Sequence, residues 1–391
     1  MEKKFFFKII GIIVAVVTAM AGIVIWIDPF YHYHKPLSYI SYVSGADVYS
    51  NDGKLKHFDY DTLTIGTSMA MNFRKEKVDT ILGGNSLNVY YLGEGFKVIN
   101  EGLETALETH PDLKLVVRTV DTTWFVSAVN WEGRESYPEY LYDKNPFNDV
   151  YYIYNKDVWK DNLIPSIVQS FENGFQGEVK QEGFGSGSLT GKENVLKNYK
   201  RPEKEIKEVT QEETEDFLNY LEENLDVNVL QVIKDYPDVE FYLFFPPYSI
   251  CWWDQLNQNG TAVLERRIDL EKYAIEKMLQ FDNIHLFSFF NNYDLICNLD
   301  YYVDDVHYTG DVNNMILRWM KSGEYELTKE NYEDYIANIQ NVLGEHSPKK
   351  GKRIIISGAF PDYDEIYKNS LTEAVIIYTC LLYTSDAADE L

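Results

Sequence analysis

The sequence predicts an α/β protein whose parallel sheet is covered by helices on both faces and preceded by one transmembrane helix. Short apolar runs rich in β-branched and aromatic residues alternate with segments of helical periodicity, which is the pattern of a parallel sheet. An apolar stretch at residues 9–27 has the length that spans a bilayer. The 391 residues leave room for one α/β domain of about 300 residues after it.

The N-terminal segment has the features of an uncleaved anchor. Lys3, Lys4 and Lys8 lie before the apolar stretch, and no small-residue cleavage site followed by polar sequence ends it. Aromatic residues close it instead, as at a membrane interface. We therefore favour an anchor over a cleaved signal peptide. The positive-inside rule then makes residues 1–8 cytoplasmic and the domain of this single-pass cell-membrane protein extracytoplasmic.

In the juxtamembrane segment, residues 28–58, tyrosine and histidine alternate over residues 31–34. His32 and His34 are two residues apart in this run. They could form a metal clip or serve a structural role beside the membrane, and we favour the structural role.

Composition narrows the classes of partner. A net charge of -26 argues against nucleic acid and against broad adhesion to anionic lipid. The 31 tyrosines suit either carbohydrate contact or ordinary strands. Three cysteines make no disulfide framework, although Cys251 and Cys297 could pair outside the cytoplasm. The glycine-rich stretch 183–191 lacks the strand and helix that flank a phosphate-binding loop, and no cofactor is predicted. We interpret this stretch as a mobile loop over or near the functional site.

Two polar motifs stand out from this pattern. After the strand at residues 61–65, Gly66 allows a sharp turn, and Ser68 opens a predicted helix, Met69–Lys77. A serine there sits beside unpaired backbone N–H groups, where it can be a nucleophile or an ordinary helix cap. Far along the chain, Asp304 and His307 are three residues apart, so the carboxylate can orient the imidazole that deprotonates a serine.

Together, Gly66-Thr67-Ser68 and Asp304-x-x-His307 resemble the SGNH (GDSL-like) hydrolase superfamily, over about residues 59–345. Thr67 departs from the family's Gly-Asp-Ser. The resemblance implies a three-layer α/β/α, flavodoxin-like domain with Ser68 as nucleophile, His307 as base and Asp304 as its orienting partner. Residues 130–215, rich in Tyr, Asn, Lys and Gly, are interpreted as an insertion.

The resemblance also implies an oxyanion hole formed by the N–H of Ser68 and that of a glycine after the next strand. Gly93 and Gly95 both fit that position, and Gly93 is favoured. Many members add an asparagine from a Gly-x-Asn-Asp motif, but Asp121 stands there in this chain, and an ionised aspartate cannot donate a hydrogen bond. In this departure the chain resembles a divergent branch of the superfamily, that of the D-alanyl-lipoteichoic acid biosynthesis protein.

The remaining elements follow in order. Strands are predicted at residues 88–92, 113–121, 239–248 and 284–290, and helices at about 98–107, 210–224, 264–279 and 312–321. Tyr248, Trp252 and Trp253 follow the third of these strands, at the edge where open α/β sheets bind ligands, so they are candidate substrate-binding residues or a plain hydrophobic cap. Four aspartates, at 300, 304, 305 and 311, offer a calcium alternative, but their spacing is not that of an EF-hand.

The C-terminal part of the chain is harder to assign. A closing helix is predicted at residues 327–343, and a short strand at 353–358 has no evident partner. Residues 346–379 form a tail of uncertain status. Residues 380–391 resemble a translated sequencing adapter and are expected to lie outside the fold.

The sequence thus predicts an anchored extracytoplasmic serine esterase or acyltransferase that needs no metal or cofactor. Its substrates, by resemblance, are O-acyl groups of cell-envelope glycans or teichoic acids. The alternative is a non-catalytic partner of a membrane O-acyltransferase, or a glycan-binding protein, with the same fold.

Overall fold

The computed structural model of the chain describes residues 2–43, 47–133, 138–179, 190–203 and 209–344. Most of the glycine-rich stretch, the predicted strand at 353–358, the tail and the adapter-like segment lie outside the described residues. The described residues comprise an N-terminal helix, a sheet domain and the part at residues 130–215 that was predicted to be an insertion.

Six of the eight described strands form one mixed sheet. The strands are β1 (Ser41–Tyr42), β2 (Thr62–Gly66), β3 (Ser86–Tyr90), β4 (Leu115–Thr119), β5 (Glu178–Val179), β6 (Glu240–Phe245), β7 (Ile284–Ser288) and β8 (Glu326–Leu327). The main sheet has the order β3-β2-β4-β6-β7-β8, and its first five strands are parallel. The predicted α/β class is therefore confirmed.

Fourteen α-helices lie within the described residues, and some of them cover the two faces of this sheet while others, such as the N-terminal one, do not pack on it. They are α1 (Glu2–Ile27), α2 (Asp47–His57), α3 (Lys75–Ile81), α4 (Phe96–Thr109), α5 (Val150–Ile153), α6 (Ile164–Glu172), α7 (Lys192–Asn198), α8 (Gln211–Leu225), α9 (Gln231–Asp235), α10 (Ile250–Gln258), α11 (Thr261–Met278), α12 (Tyr293–Ile296), α13 (Gly310–Ser322) and α14 (Tyr332–Gly344). From β2 the chain moves to β3 on one side, then crosses back to β4 on the other. Right-handed crossovers therefore place α3 and α4 on opposite faces.

The core explains why the strands could be recognised. All five residues of β2 are buried, and Val116 and Val117 of β4 and Leu243 of β6 are fully so. Parallel strands covered on both faces are nearly continuous apolar runs rather than alternating ones. These are the runs that the sequence shows.

Two predicted elements differ from the structure. The predicted helix Met69–Lys77 is wrong, because the chain makes one 3-10 turn at Ser68–Ala70 and α3 begins only at Lys75. The Asn88 side chain donates to the Ala70 carbonyl at 3.1 Å, and Phe73 N–H bonds the same oxygen, so that the turn closes there. The closing helix begins at Tyr332, five residues later than predicted, because β8 precedes it in the chain and pairs antiparallel to β7.

The N-terminal helix is long, apolar and largely exposed. Within Lys3–Ile27, the most apolar 18 residues have a mean hydropathy of 2.7, and only 6% of them are buried. By length and composition it could cross a membrane, as an anchor or a signal sequence does.

The end of α1 is held by a group of buried and partly buried polar side chains, here called the Asp28 cluster: Asp28, Tyr33, Tyr42, Asp149 and Tyr152. The fully buried Asp28 carboxylate accepts three backbone N–H bonds, from residues 32, 33 and 34, and the Tyr152 hydroxyl at 2.9 Å. Tyr42 donates to the carbonyl of Ile27, the last residue of α1, at 2.8 Å.

The two histidines of the juxtamembrane run adjoin this cluster. His32 lies 3.5 Å from Asp149, and the ring nitrogens of His34 contact the carbonyls of Lys35 and Ile25. Because Tyr152 and Asp149 belong to the insertion, the cluster joins α1 to that part of the chain.

Candidate active site

The candidate site lies at the carboxyl edge of the parallel strands, beside β2. The strand order reverses here, since β3 and β4 flank β2 although the chain passes from one to the other. Such a switch point leaves a crevice in which open α/β sheets bind ligands. Ser68 follows β2 by two residues, and Asp121 follows β4 by two.

Three side chains form a continuous hydrogen-bonded relay at this edge. Ser68 Oγ lies 2.8 Å from His307 Nε2, and His307 Nδ1 lies 2.8 Å from Asp304 Oδ2. The structure thus brings together residues more than 230 positions apart in the chain. The arrangement has the connectivity of a serine nucleophile, its base and the group that orients the base.

A tight local turn orients the acid and the base. Its ends are Tyr302 and Tyr308, which form an antiparallel bridge. Asp304 Oδ1 accepts the backbone N–H groups of Val306 at 2.9 Å and of His307 at 2.6 Å, while Oδ2 bonds the imidazole. One carboxylate therefore holds both the backbone and the ring of His307, which is what the spacing of three residues allows.

The glycine-rich stretch ends beside this turn. Gly191 N–H donates to the carbonyl of Tyr302 at 2.9 Å, and the Asn194 side chain donates to the carbonyl of Val303 at 2.8 Å. The start of α7 therefore adjoins the turn that carries His307.

The charges around His307 favour its protonated form. Burial lowers the pKa of the imidazole, but the hydrogen bond and the charge of Asp304 outweigh it, with smaller contributions from Asp121 and Asp305, so that the pKa is raised. Burial likewise raises the pKa of Asp304, yet its bonds to His307 prevail and lower it. The pair is thus an ionised carboxylate beside an imidazole of raised basicity, suited to take a proton from Ser68.

The unexpected Asp121 is a fully buried acceptor. Thr67 Oγ1 donates to its Oδ2 at 2.5 Å, Thr119 Oγ1 does so at 3.3 Å, and the Tyr248 hydroxyl donates to Oδ1. Burial raises the pKa of this carboxyl group, and the hydroxyl bonds oppose that shift. Asp121 therefore holds Thr67, the residue before Ser68, and does not supply an oxyanion donor while it is ionised.

Close packing at the end of β2 explains Gly66. A Cβ on this residue would lie 2.0 Å from Thr119 Oγ1, the atom that also accepts the N–H of Thr67 at 3.1 Å. Any side chain at position 66 would displace Thr119 and, through it, the turn that presents Ser68. Sequence reasoning missed Thr67 and Thr119 as supporting residues, although two threonines at adjacent strand ends were a visible signal.

The structure distinguishes the two candidate oxyanion glycines. Gly95 N–H is already used, since it donates to the carbonyl of Glu132 at 2.9 Å. Gly93 has φ +74°, a left-handed conformation suited to glycine, and within the described residues its N–H and that of Ser68 make no hydrogen bond. Gly93 thus has the free donor that this role requires, and the role itself stays a prediction.

The three predicted substrate-binding aromatics are buried. Tyr248, Trp252 and Trp253 are 1%, 7% and 1% exposed, and Trp253 packs edge-on against Phe290 at 4.8 Å. Tyr248 reaches the site by its hydroxyl, through Asp121. The packing of the two tryptophans is that of the hydrophobic cap that the sequence left open, and substrate contact by these residues stays a prediction.

The described residues contain no group of three or more His, Cys, Asp or Glu side chains that could hold a metal ion. Asp304, one of the four aspartates of the calcium alternative, is committed to His307. Cys251 is a buried free thiol, so the pairing of Cys251 with Cys297 does not occur in this structure.

Comparison with known proteins finds only distant likenesses. No family model and no curated protein matches the chain. A provisionally named platelet activating factor from Streptococcus pneumonia is similar in structure, with 13% identity and a TM-score of 0.33 over 74% of this chain and 92% of that one. A carbohydrate esterase family 2 enzyme with a carbohydrate binding domain, from Corynascus thermopiles, has 11% identity and a TM-score of 0.30 over 67% of this chain and 66% of that one.

Proposed function

We propose that the chain is a membrane-anchored, extracytoplasmic serine esterase or acyltransferase. The observation that carries the proposal is the hydrogen-bonded relay from Asp304 through His307 to Ser68 Oγ. A serine hydroxyl is a weak nucleophile unless a positioned base removes its proton, and that base needs a partner to fix its tautomer. The motif resemblance suggests O-acyl groups of cell-envelope glycans or teichoic acids as substrates, with a membrane O-acyltransferase as a partner.

The relay supports a two-step acyl transfer. Ser68 Oγ attacks the ester carbonyl carbon while His307 Nε2 takes the hydroxyl proton, and Asp304 stabilises the imidazolium. The N–H groups of Ser68 and Gly93 would receive the oxyanion. The intermediate collapses as His307 returns the proton to the departing alcohol, which leaves an acyl-serine. Water or an acceptor hydroxyl, deprotonated by His307, then releases the acyl group.

A fluorophosphonate probe tests this proposal directly, because it reacts covalently only with an activated serine. The full chain is expected to label, and Ser68→Ala to lose the label. Ser322→Ala, which changes an exposed serine at the end of α13, is the matched control and should label like the parent. Absence of labelling in the parent would reject the enzyme proposal.

One observation favours a second candidate, a non-catalytic partner of a membrane acyltransferase or a glycan-binding protein. Asp121 stands where the resembling enzymes have an asparagine donor, and its carboxylate accepts three hydroxyl groups instead. An oxyanion hole built without it has fewer donors. A folded parent chain that fails to label would favour this candidate.

The orientation in the membrane gives a separate prediction. With the lysines before α1 in the cytoplasm, protease added to intact cells should degrade the domain after Ile27 while a cytoplasmic marker survives. If the domain were protected until the cells were lysed, the proposed orientation would be wrong. Recovery of the intact α1 in the membrane fraction separates an anchor from a cleaved signal peptide.

A further inference from the structure

The insertion carries a concentrated set of exposed apolar side chains. Outside α1, nine of the twelve large hydrophobic residues that are exposed among the described residues fall within residues 147–175. We call these nine the insertion surface: Phe147, Val150, Tyr151, Tyr154, Ile164, Ile167, Val168, Phe171 and Phe175. Singly exposed hydrophobic residues are ordinary, but a dense group marks a surface that contacts something apolar.

Helix α6 is turned opposite to the usual amphipathic helix. Its buried residues are Ser166 and Ser170, whose hydroxyls accept the backbone N–H groups of Val43 at 3.0 Å and Ser41 at 2.8 Å. Its apolar residues point outward, with Phe171 75% exposed. A helix that buries hydroxyl groups and exposes its apolar side is stable in water only at a cost, because exposed apolar surface is unfavourable there.

The position of the insertion relative to α1 identifies what covers this surface. The Asp28 cluster joins the insertion to the end of α1, and Val24 and Ile27 of α1 are buried against it. The Tyr154 hydroxyl bonds the carbonyl of Val17 at 3.2 Å, about three turns from that end and therefore on the order of 15 Å along the helix. That span is about half of a hydrocarbon core of roughly 30 Å, so part of the insertion overlaps the apolar length of α1.

From this juxtaposition we propose that the insertion surface lies in the outer leaflet of the bilayer beside α1, as a second, non-spanning membrane contact. The inference rests on the proposed membrane anchoring. No charged residue occurs between Ile164 and Phe171, so that α6 can enter the acyl-chain boundary without burying a charge. Tyr154 of this surface contacts α1 directly, and lipid would cover the exposed sides of α1 in an anchored chain.

Photo-crosslinking of the full chain in phosphatidylcholine vesicles tests this proposal. A benzophenone amino acid replaces one exposed aromatic residue at a time, so that the buried core is left unchanged. The positions are Phe171 or Tyr151 on the insertion surface, Tyr220 on α8 as the matched control, and Trp26 on α1 as the anchor control. We expect the Phe171 and Tyr151 variants to form several-fold more phospholipid adduct than the Tyr220 variant, approaching the Trp26 variant.

The controls separate the two ways of failing. Adduct at Trp26 with none above the Tyr220 level at Phe171 and Tyr151 would overturn the insertion proposal and leave the anchor intact. Background levels at all positions would overturn the anchor as well. An excess at only one of the two insertion sites, or an adduct with a second copy of the chain, would also overturn the proposed lipid contact.

Discussion

Ser68→Ala and His307→Ala are each expected to lower the rate of short-chain ester hydrolysis by on the order of 10⁴-fold or more. Ser68 Oγ and His307 Nε2 are 2.8 Å apart, and neither group has a function in the proposed reaction without the other. The double variant should therefore be about as inactive as either single one, because residues that act as a unit lose their effect together.

The measurement compares steady-state rates of ester hydrolysis by the purified parent, the variants and a matched serine control. Ser322→Ala should keep the parent's rate, and the melting temperatures of all variants should be close, since Ser68 and His307 are only partly buried. Multiplicative losses in the double variant would contradict the relay. A parent without activity toward any ester would leave the non-catalytic proposal in its place.

Asp304→Asn is expected to lower the rate by roughly 10²- to 10⁴-fold, less than His307→Ala, and to move the acidic limb of the pH–rate profile to lower pH. Activity needs the neutral imidazole, and in the parent Asp304 raises the pKa of His307 above 6.5, so the rate falls as the pH drops through that raised value. Without the Asp304 charge and hydrogen bond, only the smaller contributions of Asp121 and Asp305 oppose the effect of burial, so we expect the pKa of His307 to fall. Rates measured from about pH 5 to 9, a range that brackets the ordinary histidine pKa, give the position of the acidic limb of the pH–rate profile.

Asp305→Asn is the matched control, because it removes the neighbouring carboxylate. Asp305 raises the pKa of His307 less than Asp304 does, and its backbone carbonyl, which accepts from Ser249 Oγ at 2.6 Å, is unchanged. The acidic limb of the pH–rate profile of Asp305→Asn should therefore move little. If Asp305→Asn proved the more damaging change, the assignment of the orienting carboxylate would be wrong.

Sequence could place the strands and the relay residues because both depend on local pattern. Buried parallel strands are continuous apolar runs, and a spacing of three residues brings Asp304 and His307 into one turn. The contacts of Asp121 with Thr67 and Tyr248 depend on how β2, β4 and β6 lie side by side, which no local pattern encodes. Tyr248 was therefore predicted at the correct edge of the sheet, but the bond of its hydroxyl to the buried Asp121 carboxylate was not foreseen. Its contact with substrate stays a prediction.

The predicted helix after Ser68 stops after a single 3-10 turn, and the cause is again a contact between distant parts of the chain. Residues 69–77 have helical propensity, but the Asn88 side chain on the neighbouring strand takes the carbonyl of Ala70. A long-range bond thus overrides local preference. The docking of the insertion onto α1 was equally hidden, because it depends on Tyr152, far along the chain, reaching back to Asp28.

The Asp28 cluster has a consequence for how far from the membrane the proposed nucleophile Ser68 could reach a substrate. A flexible tether of n residues lets a domain sample roughly 5–6 Å × √n in every direction. Here, instead, the residues after α1 are fixed by five hydrogen bonds, four to the Asp28 carboxylate and one to the Ile27 carbonyl. For a chain anchored as proposed, Ser68 is then held at one height above the lipid headgroups. An enzyme held in this way could not search outward, so the proposed acyl-bearing polymer would have to be long and flexible enough to bend down to it.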